Sequence, residues 1–156
     1  MKQPSLRHRR ALRTFIVAVI MILANATAAW AQSAFSGGDG TSGNPFQIAS
    51  VADLRQLATN VNSGMTYSGK YFKLINDIDF YQATDTSLRP TAAWNVESTQ
   101  NNFTPIGNNI HSFQGYFDGD DHTIRGIRIY GNDDNASSNY KALFGLINLS
   151  AKVEKV

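Results

Sequence analysis

Residues 113–130, FQGYFDGDDHTIRGIRIY, decide the fold. Two short runs of alternating apolar residues flank a polar turn, Asp118-Gly119-Asp120-Asp121. Asp-Gly favours a tight turn because Gly takes positive φ without steric cost and the Asp carboxylate can accept hydrogen bonds from nearby backbone amides. Gly126 interrupts the second run, which indicates a bulge or a corner rather than one long strand. Short strands, polar corners and aromatic filling predict a coiled β structure.

Elsewhere the sequence predicts one helix and a series of short strands. Ser50 has the chemistry of a helix N-cap, and Asp53 follows it in the first turn. Gly64 stands where a C-terminal cap belongs, so a helix is expected over Val51–Asn62. Its apolar residues lie at helical spacing and are Val51, Leu54, Leu57, Ala58 and Val61. Strands are expected near residues 70–75, 77–80, 103–106, 113–117, 122–130, 141–147 and 152–156, with an excursion loop over 81–102.

This pattern favours a mainly β fold, a right-handed parallel β-helix (solenoid), over a sandwich. Each rung of a solenoid stacks its inward side chains on those of its neighbour and cannot bury them alone. The predicted helix would cap the first rung and close its edge. Residues 152–156 alternate as a strand without a closing element. The coil is therefore expected to continue past Val156 and to leave an open edge through which the chain could self-associate.

Five segments, taken in order, resemble the repeats of bacterial GLUG-repeat surface proteins. Residues 113–130 are similar to the motif F-x-G-x-F-D-G-x-G-H-x-I-x-G-L-x-I, with Asp121 where Gly is usual, and Ala142 also replaces a Gly. The other matching segments are residues 38–64, 69–80 (GKYFKLINDIDF), 103–107 (FTPIG) and 142–145 (ALFG). The N-terminal regions of zinc metallopeptidases that cleave immunoglobulin A are also similar. The resemblance implies a non-catalytic, adhesin-like surface module for display or attachment.

Residues 1–31 are expected to be a signal peptide. A basic segment with Lys2 and four arginines precedes a ten-residue apolar run, and Ala29-Trp30-Ala31 forms a cleavage pattern before Gln32. Residues 26–28 offer a second cleavage site. The apolar run is shorter than the roughly 20 residues that a spanning helix needs, which favours cleavage over a permanent anchor. The chain is expected to be exported to the cell surface or extracellular space, with the periplasm as an alternative.

Removal of the signal peptide reverses the net charge. The chain has 14 basic and 12 acidic residues, and five basic residues leave with residues 1–31, so 9 against 12 remain and the net charge is −3. No basic cluster is left to bind nucleic acid. The absence of cysteine argues against disulfides, a thiolate metal site and a lipid anchor. Residues 32–43 are Gly-rich and predict a flexible lead-in, and residues 44–156 form the capped β-helix segment.

Acidic residues and histidines are the candidates for chemistry. The turn at 118–121, the pair Asp77 and Asp79, and the pair Asp133 and Asp134 offer the oxygen ligands that Ca²⁺ prefers, but none matches a known calcium loop. His111 and His122 lack partners at the spacing of a zinc site. Solvated turns and a corner histidine are therefore the favoured interpretations. No catalytic, cofactor-binding or metal residue is assigned.

Three function classes remain open at this stage. The first is the non-catalytic surface module, whose expected partners are host or matrix glycans or surface proteins. The second is a polysaccharide-acting β-helix enzyme, since Asp77 and Asp79 would share one strand face. The third is the N-terminal part of a zinc metallopeptidase. Four aromatic side chains could form a sugar-stacking surface, although core packing would use most of them: Tyr67, Tyr71, Tyr81 and Trp94.

Overall fold

The computed structural model describes residues 35–91, 101–130 and 140–156. The expected signal peptide, Trp94 and the Asp133–Asp134 pair lie outside these residues. The described elements are β1 (Phe46–Ile48), α1 (Val51–Asn62), β2 (Tyr71–Leu74), β3 (Ile78–Asp79), β4 (Tyr116–Asp118), β5 (Ile124–Arg125) and β6 (Lys152–Glu154). Two 3₁₀ turns follow β3, at Phe80–Gln82 and Thr86–Leu88.

Four strands form a parallel sheet in the order β1-β2-β4-β6, which is the order of the chain. The register places Phe46, Phe72 and Phe117 beside one another on neighbouring strands, and Val153 follows them on β6. The three phenylalanines are buried. Because side chains alternate between the two faces of a strand, this column forms the inner face of the sheet, and its neighbours along each strand point outward.

A second, two-stranded parallel sheet joins β3 to β5, with Ile78 beside Ile124. Isolated parallel bridges also join Ile106 to Phe144 and Phe113 to Ile147. Each of these pairs links a segment to one that follows about 34 to 46 residues later in the chain. Successive stretches of chain therefore lie beside one another in register along several separate lines.

The structure confirms the predicted helix, because α1 spans Val51–Asn62 as expected. Ser50 is its N-cap, and its hydroxyl accepts a hydrogen bond from the backbone N–H of Asp53 at 3.2 Å. The predicted apolar stripe is buried and belongs to the same core as the strands. Gly64, at φ 105°, follows the last turn and donates its N–H to the Val61 carbonyl. The helix therefore contributes its stripe to the core.

The edge of β1 is closed by the segment before it, which corrects the role predicted for α1. Gln47 donates to the Gly37 carbonyl at 2.8 Å, and Ser36 donates to the Gln47 carbonyl at 3.2 Å. A strand edge needs partners for its own backbone groups in the plane of the sheet, and a helix face cannot supply them. Phe35 is buried against Phe46 and Phe72. From Phe35 onward, the expected flexible lead-in is hydrogen-bonded and packed on the sheet.

The turn after β4 uses its glycine in a way that the sequence did not predict. The residues with positive φ are Asp120, at 48°, and Asp121, at 63°, rather than Gly119. A Cβ atom on Gly119 would lie 1.8 Å from the backbone oxygen of Lys155. Gly119 is therefore required for close approach of the next stretch of chain, and two aspartates, which tolerate the left-handed region, make the turn.

The strands are shorter than the sequence indicated. Residues 103–106 and 141–147 contribute only single bridges, and β5 has two residues where residues 122–130 were expected to be a strand. Gly126 ends β5 with φ at 76°, because positive φ is incompatible with an extended strand. Within the described residues, no helix has the length and apolarity needed to cross a membrane.

Candidate functional site

The outward face of β3 and β5 collects the polar residues that the sequence singled out. We define the β3–β5 surface by five residues: Asp77, Asp79, Tyr81, His122 and Arg125. Arg125 donates to Asp79 at 2.7 Å. Asp77 accepts from the backbone N–H of Thr123 at 2.9 Å, and its carboxylate lies 3.2 Å from the His122 ring. The parallel register of β3 and β5 brings these partners together from positions about 46 residues apart.

The electrostatics of this surface keep both carboxyl groups ionised. The backbone N–H of Thr123 and the His122 ring hold the pKa of Asp77 below its usual value. Hydrogen bonding from Arg125, opposed by partial desolvation and assisted by the backbone N–H of Tyr81, lowers the pKa of Asp79. A general acid for glycoside cleavage needs a raised pKa instead. Neither aspartate has the protonation state that this role requires near neutral pH.

Tyr81 provides an exposed aromatic ring beside these ion pairs. Its side chain follows β3 in the first 3₁₀ turn, and the residue is 52% exposed. A Cβ atom on Gly126 would lie 3.0 Å from two ring carbons of Tyr81, so the ring rests on the glycine backbone. A side chain at position 126 would displace the ring. The glycine therefore positions an aromatic surface that remains open to solvent.

A cavity of about 340 Å³ is lined in part by Asp77 and Asp79 and so adjoins this surface. Residues at the start of α1 and in the two 3₁₀ turns line it, and Ile78 and Leu88 are among its apolar lining residues. Its other polar residues include Arg55, Gln82 and Asp85. A few polar groups around an apolar floor are typical of small-ligand sites. The volume suits one small ring, so the cavity and the β3–β5 surface form one candidate binding region.

The acidic turn at 118–121 is occupied by ion pairs. Lys73 contacts Asp120 at 2.9 Å, and Lys155 approaches Asp118 at 4.0 Å. Hydrogen bonding from Lys73 lowers the pKa of Asp120. In residues 35–91, 101–130 and 140–156, no group of three His, Asp or Glu side chains is arranged to hold a metal ion. Lysine ammonium groups therefore neutralise part of the negative charge of this turn.

The two histidines have separate structural surroundings. His111 lies against the end of α1, where its Nδ1 is 3.1 Å from the carbonyl oxygen of Asn62. His122 belongs to the β3–β5 surface. His111 therefore ties the chain after the 108–111 turn to the helix, and the structure does not bring the two histidines into one site.

The aromatic residues proposed for sugar stacking divide into two groups. Tyr67 is partly buried, and its ring packs on the core against Phe35, Phe46 and Phe72. Tyr71 stacks on Tyr116 with ring centroids 4.6 Å apart and an interplanar angle of 8°. Their pairing follows directly from the strand register. Among the described candidates, Tyr81 is the ring that stays exposed.

Asn102 is a key polar residue whose structural role the sequence did not predict. It is 2% exposed. Its amide donates to the carbonyls of Leu88 and Gly126 at 2.9 and 2.8 Å and accepts from the Arg128 N–H at 2.7 Å. Asn102 thus ties the 3₁₀ segment behind the cavity to the chain that follows β5. Asn102 stands in the tripeptide Asn102-Phe103-Thr104, which fits the glycosylation pattern, and its burial agrees with an interpretation of that match as chance.

Comparison with known proteins gives two relatives. The chain is 30% identical over 144 residues to "Putative Gly-rich membrane protein" of Evansella cellulosilytica, covering 91% of this chain and 14% of the relative. It is 30% identical over 122 residues to halomucin of Haloquadratum walsbyi, covering 76% of this chain and 1% of the relative. No protein family matches the chain. No solved structure matches it with significance. The chain thus spans a small part of each relative.

Proposed function

We propose that the chain is a non-catalytic, exported surface module that serves display or attachment, built as a right-handed parallel β-helix whose first strand edge is closed by the segment before β1. The observation that carries this proposal is the in-register stacking of β1, β2, β4 and β6 in chain order. Stacking of this kind extends a module by repetition and suits a protein that projects from a surface.

The names of the relatives support a location at a membrane or cell surface. One is named as a Gly-rich membrane protein and the other as halomucin. The resemblance of residues 113–130 to GLUG-repeat surface proteins agrees with such a location. The finer proposal is export by cleavage of residues 1–31, followed by a position at the cell surface or in the extracellular space.

The state of the carboxylates supports the non-catalytic role. Asp77 and Asp79 are each held by hydrogen-bond donors, and these donors lower both pKa values. A retaining or inverting glycosidase needs one carboxyl group that stays protonated. The described residues of the β3–β5 surface offer no such group, and the two carboxylates fit ligand contact better than acid catalysis.

The proposed partner is a neutral glycan of a host or matrix. Tyr81 offers a fixed aromatic face for the apolar side of a sugar ring, and Arg125 is an exposed donor for hydroxyl groups. The cavity and the β3–β5 surface together carry Asp77, Asp79 and Asp85 against two arginines, Arg55 and Arg125. This negative balance disfavours uronic acids, so a neutral polysaccharide suits the region best.

Binding of the exported protein to immobilised neutral glucans and mannans tests the proposal, with alginate as an acidic comparison. Tyr81→Ala is expected to weaken binding about fivefold to tenfold, since an aromatic contact of this kind contributes about 1 kcal/mol. Tyr130→Ala, at another partly exposed tyrosine, is the matched control and should leave binding unchanged. Equal affinity of all three proteins would contradict the glycan surface.

A product assay on the same polysaccharides separates binding from turnover. The parent protein is expected to release no sugar. Release of oligosaccharides that disappears in Asp77→Asn or Asp79→Asn would overturn the non-catalytic proposal and support the polysaccharide-acting enzyme instead.

A further inference from the structure

The outer face of the four-stranded sheet carries two tyrosines side by side. Tyr71 on β2 and Tyr116 on β4 are register partners, and their rings stack with centroids 4.6 Å apart and an interplanar angle of 8°. All six tyrosines of the chain lie in the described residues, and among them Tyr71 and Tyr116 are the two whose rings are in contact. The pair lies inside the sheet, between β1 and β6, and both residues are half-buried.

The strands hold this pair of rings in place. Tyr116 donates its N–H to the Lys70 carbonyl at 2.8 Å, which fixes β4 beside the start of β2. The residues that follow the two tyrosines, Phe72 and Phe117, are each 1% exposed and anchor the strands from the inner face. The fold therefore keeps two phenol rings in contact that belong to distant parts of the sequence.

Small solutes can reach the two rings. A cavity of about 340 Å³ is lined by Tyr71 and Tyr116, and its other lining residues include Ser42, Pro45 and Lys73. Within the described residues, the phenol oxygens of the two tyrosines make no hydrogen bond to another residue. Because the rings are half-buried and line an open cavity, water and a small oxidant have access to them.

Contact between two phenols favours oxidative coupling. Removal of one electron and the hydroxyl proton turns each phenol into a phenoxyl radical, whose unpaired electron is shared with the ring carbons next to the C–O bond. One such carbon of Tyr71 and one of Tyr116 form a C–C bond when the rings tilt. The hydrogen on each bonded carbon then moves to the phenol oxygen and restores the aromatic ring. The pair loses two electrons and two protons, which reduce one hydrogen peroxide to two water molecules.

We propose that Tyr71 and Tyr116 are a modification site, at which hydrogen peroxide and a peroxidase form a dityrosine cross-link between β2 and β4. Disulfides are the usual cross-links of exported chains, and this chain has no cysteine to form one. The tyrosine pair supplies a covalent alternative that joins two neighbouring strands. The site shares no residue with the β3–β5 surface and does not depend on glycan binding.

Treatment of the dilute exported protein with hydrogen peroxide and a haem peroxidase tests this site. The expected product is a monomer that is lighter by two hydrogen atoms, has dityrosine fluorescence and yields a cross-linked peptide pair joining positions 71 and 116. Tyr71→Phe and Tyr116→Phe keep the stacked ring but lack the oxygen that the radical needs, so each should lower the yield at least about tenfold. Tyr130→Phe, at another partly exposed tyrosine, is the matched control and should leave the yield unchanged.

Two further measurements separate a site built by the fold from the general reactivity of tyrosine. In urea that unfolds the chain, the yield of the link should fall about tenfold or more, because the two rings are no longer held together. The link constrains the unfolded chain as a disulfide does, so the reacted protein should melt roughly 10 °C above the unreacted one, and Tyr71→Phe should show no rise after the same treatment. Absence of the link, a preference for other tyrosines, or a yield that Tyr71→Phe or unfolding leaves unchanged would each overturn the proposal.

Discussion

Replacement of Asn102 by alanine is expected to cost far more stability than its position in a loop suggests. The side chain forms three hydrogen bonds to backbone groups, to the Leu88 and Gly126 carbonyls and from the Arg128 N–H, all between 2.7 and 2.9 Å. Alanine removes all three and leaves these groups without their partner in a buried place. Each lost bond costs about 1 kcal/mol, and groups that remain unsolvated cost more. The sum is about 3 to 5 kcal/mol.

Urea unfolding monitored by circular dichroism measures this loss as a lower midpoint with an unchanged slope. In a domain of this size the melting temperature should fall by roughly 10 to 20 °C. Asn101→Ala is the matched control. Asn101 is the exposed neighbour, and within the described residues its side chain hydrogen-bonds to the backbone of Tyr130, so its removal should cost less than about 1 kcal/mol.

The outcome that would refute this reasoning is an Asn102→Ala protein as stable as the Asn101→Ala protein. Such a result would mean that water replaces the amide at all three backbone groups. Asn102→Asp tests the accepted bond and the two donated bonds of the side chain separately. The carboxylate can still accept from the Arg128 N–H, but it places an oxygen atom against the carbonyl oxygens of Leu88 and Gly126. It should be at least as damaging as alanine at neutral pH, and less damaging when the carboxyl group is protonated.

Three further predictions concern the helix, the ion pairs and export. Leu57→Ala, at a fully buried position, should cost about 2 to 5 kcal/mol in thermal unfolding, whereas the exposed Gln56→Ala should change little. The pKa of Asp79 is lower in the folded than in the unfolded chain. The ionised carboxylate therefore stabilises the folded state above about pH 4, and this contribution is lost as the pH falls further. The melting temperature of the parent should drop on acidification, and that of Asp79→Asn should drop less steeply. Sequencing of exported protein should begin at Gln32, or at Ala29 if the earlier site is used, and an N-terminus at Met1 would refute cleavage.

The sequence by itself determined the secondary-structure elements that are stabilised by interactions between residues close together in the chain. The capping residues Ser50 and Asp53 and the apolar spacing that follows them located α1 to its end residues. Hydrogen bonding within the helix and its caps involves residues at most a few positions apart, so neighbours in sequence carry the information. The alternation around the 118–121 turn likewise predicted β4 and β5, although not their short lengths.

Only the tertiary structure decided which residues meet across the stacked segments. The contacts of Asp79 with Arg125, of Tyr81 with Gly126, and of Asn102 with Leu88 and Gly126 join positions between 14 and 46 residues apart. A change of one residue in register would exchange the inward and outward side chains and dissolve each of these contacts. The requirement for Gly119 has the same origin, since the atom that excludes a side chain there belongs to Lys155, on the next stretch of chain. Short strands carry too little pattern to specify that register, and the packing of the buried column fixes it.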